Sequence, residues 1–118
     1  MLHYFNTEIA NMFGVVPAVV AQNFWYWVRK NERENKNCFD GRFWVYESIR
    51  EMSNVLYYIS HNQVRSAIEK LVKSGILIKG NFNKSHYDRT IWYSFTDEGY
   101  AIFVKAEMEN GKHTKATG

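Results

Sequence analysis

The segment "SHNQVRSAIEKLVKSGIL", from Ser60 to Leu77, carries the clearest structural signal in this chain of 118 residues. Ser60 precedes Gln63 by three residues, a pair whose side chains each bond the other's backbone N–H at a helix start. The apolar residues recur at helical spacing: Val64, Ala67, Ile68, Leu71 and Val72. Gly75 follows at the position where a left-handed backbone is usual. The segment therefore predicts an amphipathic helix from Ser60 to Ser74.

Two β-rich segments follow this helix, "ILIKGNF" (76–82) and "RTIWYSFT" (89–96), and "NKSHYD" (83–88) separates them as a hairpin loop. Before the helix, "YESIREMSNVLY" (46–57) has helical spacing through Ile49 and Met52. Two consecutive helices and a hairpin are the order of a winged helix-turn-helix, whose second helix enters the DNA major groove. We expect an α+β, mostly helical fold with a C-terminal β-hairpin wing and flanking helices.

The flanking segments predict three further helices and one strand. Asn6 or Thr7 begins a short helix that Gly14 ends, and a long helix runs from about Pro17 to Asn35. Asp40-Gly41 is a tight-turn signal before a strand at 43–46, and a last helix begins at a Thr96-Asp97 cap. The inward positions on the three helices are Ile9, Met12, Phe13, Val20, Phe24, Trp27, Val28, Tyr100, Ile102, Phe103 and Val104.

Composition is that of one globular domain, with 46% hydrophobic and 17% aromatic residues and a single proline. We expect residues 1–109 to form this domain and residues 110–118 to be a flexible tail. The single cysteine, Cys38, excludes an internal disulfide and fits a reducing, cytoplasmic location. No apolar run approaches the roughly 18 residues of a membrane span, and no signal peptide or membrane association is expected.

Positive charge is concentrated in one part of the chain. Residues 60–95 hold six lysines and arginines against two acidic residues, whereas residues 1–59 hold six of each sign. Such a segment either attracts a polyanion or is an ordinary solvated face. On charge alone the two interpretations are equally good.

Candidate DNA contacts follow from the polar face of the capped helix and from the loop. The helix residues are His61, Asn62, Arg65, Ser66 and Lys70. Asn and Arg pair with base edges, whereas Lys, Ser and His bind phosphates. In the loop, Lys84 and His86 are candidates for the phosphate backbone. Arg89 either contacts DNA or pairs with Asp88 or another carboxylate.

The loop also contains Ser85, His86 and Asp88, the residue types of a hydrolytic triad. Ser85 and His86 are adjacent, so an extended backbone would point them apart. No Gly-x-Ser-x-Gly elbow surrounds Ser85. The four histidines are widely spaced, and neither a phosphate loop nor a dinucleotide motif is present. We therefore expect no catalytic residues, no metal and no cofactor, and a protein that is not an enzyme.

The aromatic run "NFWYW" (23–27) places Phe24 and Trp27 on the inward stripe and leaves Trp25 and Tyr26 to project elsewhere. A helix with a second apolar face needs a second partner. That partner is either the C-terminal helix or another subunit. Trp25 and Tyr26 are accordingly candidate contacts of a homodimer.

Several segments together resemble a known family: "EIANMFGVVPAVVAQNFWYWV", "NKNCFDGRFWVYESI", "SHNQVRSAIEKLVKSGIL" and "NKSHYDRTIWYSFTDEG". They are similar to the N-terminal winged-helix domain of phage and prophage replication proteins of low-GC Gram-positive bacteria, the replisome-organiser and DnaD-like initiation proteins. The resemblance covers about residues 4–100. Its most specific marks are Asp88-Arg89-Thr90, Trp92-Tyr93 and Thr96-Asp97-x-Gly99, with Tyr46 and Ser48.

This resemblance implies a domain that binds double-stranded DNA at a phage origin, often as an oligomer. In the family a separate C-terminal region engages helicase-loading partners, and this chain stops soon after the winged helix. Replication proteins are therefore expected to bind through a region absent from this chain. Two alternatives stay open: a winged-helix transcriptional repressor, and a protein-interaction or dimerisation module that does not bind DNA.

Overall fold

The computed structural model describes residues 2–46 and 49–117, with side chains through Glu109. In this part of the chain the fold is α+β, with five helices and two small antiparallel sheets. The predicted mostly helical α+β class is confirmed. Ser48, one of the marks of the resemblance, lies outside the described residues. No helix in the described ranges is long and apolar enough to cross a membrane.

The first two helices begin and end close to the predicted positions. Helix α1 is Thr7–Phe13, and the side chain of Asn6 caps it by accepting a hydrogen bond from the Ile9 N–H at 3.0 Å. Helix α2 is Val15–Glu34 and starts two residues before the predicted proline, which lies in its first turn. The predicted inward position of Met12 is wrong, since 48% of this residue is exposed.

A two-stranded hairpin follows, formed by β1, Cys38–Phe39, and β2, Arg42–Phe43. The turn residues Asp40 and Gly41 both have positive φ, 52° and 74°, as the predicted tight turn requires.

The single strand predicted at 43–46 divides at Trp44, after which β3, Val45–Tyr46, joins the other sheet. The N–H of Trp44 donates to the Asn37 carbonyl at 3.0 Å, and its carbonyl accepts from the Asn31 side chain at 2.8 Å. These partners replace the ladder bonds that a continuous strand would make.

The central elements are α3, Ile49–Val55, and α4, His61–Lys73, followed by β4, Leu77–Gly80, and β5, Trp92–Phe95. Both bonds of the predicted capping box are present at the start of α4, Gln63 N–H to Ser60 Oγ at 3.1 Å and Ser60 N–H to Gln63 Oε1 at 3.0 Å. The second sheet has the order β3-β5-β4, and both pairings are antiparallel.

Helix α5, Asp97–Thr117, begins at the predicted cap. Thr96 Oγ1 accepts a hydrogen bond from the Gly99 N–H at 3.0 Å and donates one to the Gly75 carbonyl at 2.5 Å. One threonine therefore starts α5 and holds it to the end of α4. The helical backbone continues to Thr117, and the flexibility expected of residues 110–118 stays a prediction.

The core lies between α2, α4 and the β3-β5-β4 sheet. All four residues of β5 are buried, and the predicted alternation places Tyr93 and Trp92 on opposite faces that are both covered. Tyr93 packs against Phe24 of α2 at a ring distance of 5.2 Å. Trp92 packs on the opposite face of the sheet, 4.7 Å from Tyr46 and 5.7 Å from Phe39. The strand is buried on both faces because the β1–β2 hairpin covers the side away from α2.

Candidate nucleic-acid interface

Helix α4 presents a polar face because its opposite face is fully committed to the core. Val64, Ala67, Ile68 and Leu71 are at most 3% exposed. With this stripe fixed, the side chains about half a turn away must point to solvent. All five predicted helix contacts are exposed: His61, Asn62, Arg65, Ser66 and Lys70.

One contact links the first two turns of that face. Arg65 Nη2 donates a hydrogen bond to His61 Nε2 at 3.1 Å, which requires a neutral ring with its proton on Nδ1. The pair holds the guanidinium toward the N-terminal end of the helix. That end is where helix-turn-helix proteins meet base edges.

One edge of the polar face of α4 borders a groove that the sequence did not predict. Asn62, Ser66 and Lys70 line one side of this groove of about 320 Å³, and Phe13 and Val16 line the other. The α1–α2 junction therefore lies alongside α4. A ligand on the polar face would meet apolar side chains at this edge.

Asn83 is one of two anchors of the hairpin loop, which occupies residues 81–91 between β4 and β5. The Asn83 side-chain amide donates to the carbonyls of Asp88 and Thr90, at 3.0 and 2.8 Å. The Asn83 Oδ1 atom accepts from the indole N–H of Trp92 at 2.7 Å. One side chain thus ties the outgoing part of the loop to its returning part and to β5.

A second anchor is Asp88. Its carboxylate accepts hydrogen bonds from the Tyr46 hydroxyl and from the Thr90 N–H. These bonds, the one from Tyr46 first, hold the pKa of Asp88 below its ordinary value. Tyr46 belongs to β3, so the loop is bonded to a strand far away in sequence.

These bonds bear on the two interpretations of Arg89, which were contact with DNA and pairing with Asp88 or another carboxylate. The hydrogen-bonding partners of Asp88 are Tyr46 and Thr90, and the ion pairs found among the described residues do not include Arg89. The Arg89 side chain is exposed, as are those of Lys84 and His86. All three predicted loop contacts therefore face solvent.

Two residues of the triad pattern are hydrogen-bonded to groups other than His86. Ser85 Oγ accepts from the Tyr87 N–H at 3.2 Å, and the Asp88 carboxylate accepts from Tyr46 and Thr90. The carboxylate of Asp88 is therefore not bonded to His86. Among the described residues, no group of three or more His, Cys, Asp or Glu side chains is arranged to bind a metal ion.

Sequence reasoning missed two residues of this loop. It gave Asn83 no structural role, because the partners of its amide are two backbone carbonyls and an indole that only the folded hairpin brings together. It also passed over Tyr87, which is 94% exposed. The available signal was a lone aromatic residue flanked on both sides by polar residues.

The prediction of a dimer contact at Trp25 is wrong. Trp25 is 3% exposed and stacks on Phe103 of α5, with ring centroids 5.1 Å apart. Its indole N–H donates to Glu107 Oε1 at 2.9 Å. The second partner of α2 is therefore the C-terminal helix of the same chain. Tyr26 is 55% exposed, and its part in a dimer stays a prediction.

No protein-family model, curated protein or solved structure matches the chain.

Proposed function

We propose that the chain is a winged-helix domain that binds duplex DNA sequence-specifically and serves a phage-type initiator of replication. The observation that carries this proposal is the exposed polar face of α4, followed directly by a hairpin whose loop exposes Lys84, His86 and Arg89. The pairing of β3 with β5 also supports the proposal, because this pairing joins the strand before α3 to the hairpin that would be the wing.

The roles of the side chains follow from their chemistry. In this proposal α4 lies in the major groove, where Arg65 pairs with a guanine edge and Asn62 with an adenine edge. His61, Ser66 and Lys70 bind phosphates beside them. The three loop residues bind the phosphate backbone next to the helix, which orients the domain but reads no sequence.

The role in replication rests on the sequence resemblance to replisome-organiser proteins. In this proposal the domain occupies an origin of replication. A transcriptional repressor would use the same surface. Genomic footprinting separates the two roles, since an initiator gives a peak at an origin and a repressor gives peaks at promoters.

The direct test of DNA binding is an anisotropy titration of the protein with labelled duplex at low salt. We expect saturable binding that weakens as salt increases, because phosphate contacts release counterions. Lys84→Ala should reduce the slope of log K against log salt by about one. Absence of binding at low salt, or unchanged affinity in both Lys84→Ala and Arg65→Ala, would refute the proposal.

A second candidate function is a homodimer contact, supported by one observation. A largely apolar groove of about 470 Å³ lies between the N-terminal segment (residues 2–4), α2 and the end of α3. Tyr26 and Val55 line this groove and are 55% and 39% exposed. Sedimentation of the wild type and of Tyr26→Ser tests this function. A concentration-dependent dimer that the substitution weakens supports it, and a monomer at all concentrations excludes it.

A further inference from the structure

Tyr87 is the most exposed of the large hydrophobic residues in the described ranges, at 94%. Single exposed apolar residues are common and need no explanation by themselves. Tyr87 differs from such residues in two respects. Hydrogen bonds at its own N–H and at that of Asp88 hold its backbone, and its exposed neighbours in the sequence include two cations, Lys84 and Arg89.

The backbone is fixed by short-range bonds within the loop. The Tyr87 N–H donates to Ser85 Oγ at 3.2 Å, and the Asp88 N–H donates to the Ser85 carbonyl at 3.3 Å. Immediately after Tyr87, Asp88 is anchored to β3 through Tyr46. Because the loop backbone is already held in this way, little backbone conformational entropy is lost when the ring binds.

The charges near Tyr87 in the sequence favour a polyanion. Lys84 lies three residues before Tyr87 and Arg89 two residues after it, both are exposed, and Asp88 is the sole acidic residue between positions 70 and 96. A polyanion that also presents apolar surface between its charges would contact the ring and bind the cations at the same time. Duplex DNA does so, because deoxyribose and base edges lie between successive phosphates.

We propose that Tyr87 packs on the sugar and base edges of duplex DNA, between phosphates bound by Lys84 and Arg89. This inference rests on the proposed DNA-binding function and deepens it. It gives the loop two separable contributions to affinity. The cations contribute a part that salt weakens, and the ring contributes a part that depends little on salt.

The test compares salt dependence in matched variants. Wild type, Tyr87→Ala, Tyr87→Phe and Lys84→Ala are titrated, at several salt concentrations, with one mixed-sequence duplex of about two helical turns. Tyr87→Ala should weaken binding about tenfold with an unchanged salt slope, as expected for loss of an aromatic contact. Tyr87→Phe should bind like the wild type, because packing needs the ring and not the hydroxyl. Lys84→Ala should lower the slope by about one.

Met108→Ala is the control for loss of an exposed large hydrophobic side chain, since Met108 is 61% exposed and lies on α5, outside the loop, the polar face of α4 and the groove lined by Tyr26. It should leave DNA affinity unchanged. Because Tyr87 is almost fully exposed, we expect Tyr87→Ala to melt at the wild-type temperature.

Two outcomes would overturn the inference alone, given a wild type that binds duplex. The first is a Tyr87→Ala affinity for duplex within twofold of wild type. The second is a Tyr87→Phe defect as large as that of Tyr87→Ala, which would assign the contact to the hydroxyl. If the wild type binds no duplex at low salt, the proposed function itself fails.

Discussion

The hydroxyl of Tyr46 donates a hydrogen bond to the carboxylate of Asp88, although the two residues lie 42 positions apart in the sequence. The bond connects β3 to the returning part of the hairpin loop. Both oxygens of the Asp88 carboxylate accept hydrogen bonds, from Tyr46 and from Thr90. Asp88 therefore helps Asn83 to hold the loop, while Lys84 and Arg89 are exposed.

Tyr46→Phe tests whether this bond orders the loop. The variant loses the hydroxyl but keeps the ring, which packs 4.7 Å from Trp92. We expect faster amide exchange at Thr90, whose N–H donates to the same carboxylate at 3.0 Å, and unchanged exchange within α4. Hydrogen exchange followed by NMR measures both. Tyr57→Phe, at an exposed tyrosine in the turn before α4, is the control. Equal protection of Thr90 in both variants would contradict the role given to Tyr46.

The same bond has a defined dependence on pH. Folding lowers the pKa of Asp88 from 3.8. The contribution of the Tyr46–Asp88 bond to the stability of the loop is therefore complete above that ordinary value. The contribution is lost as the pH falls through the lowered pKa. We expect Thr90 protection to be constant from neutral to mildly acidic pH and to fall only in strong acid. Asp88→Asn should show weaker protection at neutral pH and no such fall.

Arg65→Ala should weaken binding to a preferred duplex by about 1–3 kcal/mol and relax the preference at one base pair. The physical reason is loss of the proposed bidentate contact between Arg65 and a base edge. Selection from a random duplex pool, performed with wild type and variant, measures the change in preference. Lys84→Ala is the matched control and should weaken binding equally on all sequences. A selected sequence that is identical for wild type and Arg65→Ala would contradict the role of α4 in base recognition.

Glu107→Gln should destabilise the fold at neutral pH by less than about 1 kcal/mol, because its carboxylate is partly exposed and solvent screens it. Burial raises the pKa of Glu107, but hydrogen bonds from Arg29 and Trp25 outweigh it and leave the pKa lowered from 4.5. The stabilisation is therefore complete above that value and is lost as the pH falls through the lowered pKa. Urea unfolding at neutral and acid pH measures the difference, which should shrink in acid. Glu109→Gln, at an exposed carboxylate on α5, should show a smaller effect at neutral pH.

Gly99→Ala should lower the free energy of unfolding by about 1–3 kcal/mol, as overpacking usually does. In an unobstructed helix the same change would stabilise by about 1 kcal/mol. Here a Cβ atom would lie 2.3 Å from the carbonyl oxygen of Ile76, a backbone atom that cannot move aside by rotating a side chain. Denaturant unfolding measures the sign. Ala101→Gly at an exposed position of α5 gives the propensity effect alone. A more stable Gly99→Ala would show that α5 does not pack as closely on Ile76.

The candidate site was predictable to the extent that it depends on one helix. The burial of Val64, Ile68 and Leu71 determines which residues of α4 are exposed, and helical spacing reveals that burial in the sequence. The hairpin loop was predictable only in its position. The bonds of Asn83 and Asp88 join residues that are close only because β3, β4 and β5 pair with one another. The sequence of the loop does not predict that pairing.

The sequence by itself determined where three features lie: the start of α4 through Ser60 and Gln63, the turn of the β1–β2 hairpin through Asp40-Gly41, and the start of α5 through Thr96. These signals act within about four residues of the chain, so local physics suffices. Only the tertiary structure decided the partner of Trp25 and that of Asp88. The same helical pattern of α2 allowed either α5 or another subunit to cover Trp25. The hydrogen bond to Glu107 and the stacking on Phe103 form only when α5 folds back on α2.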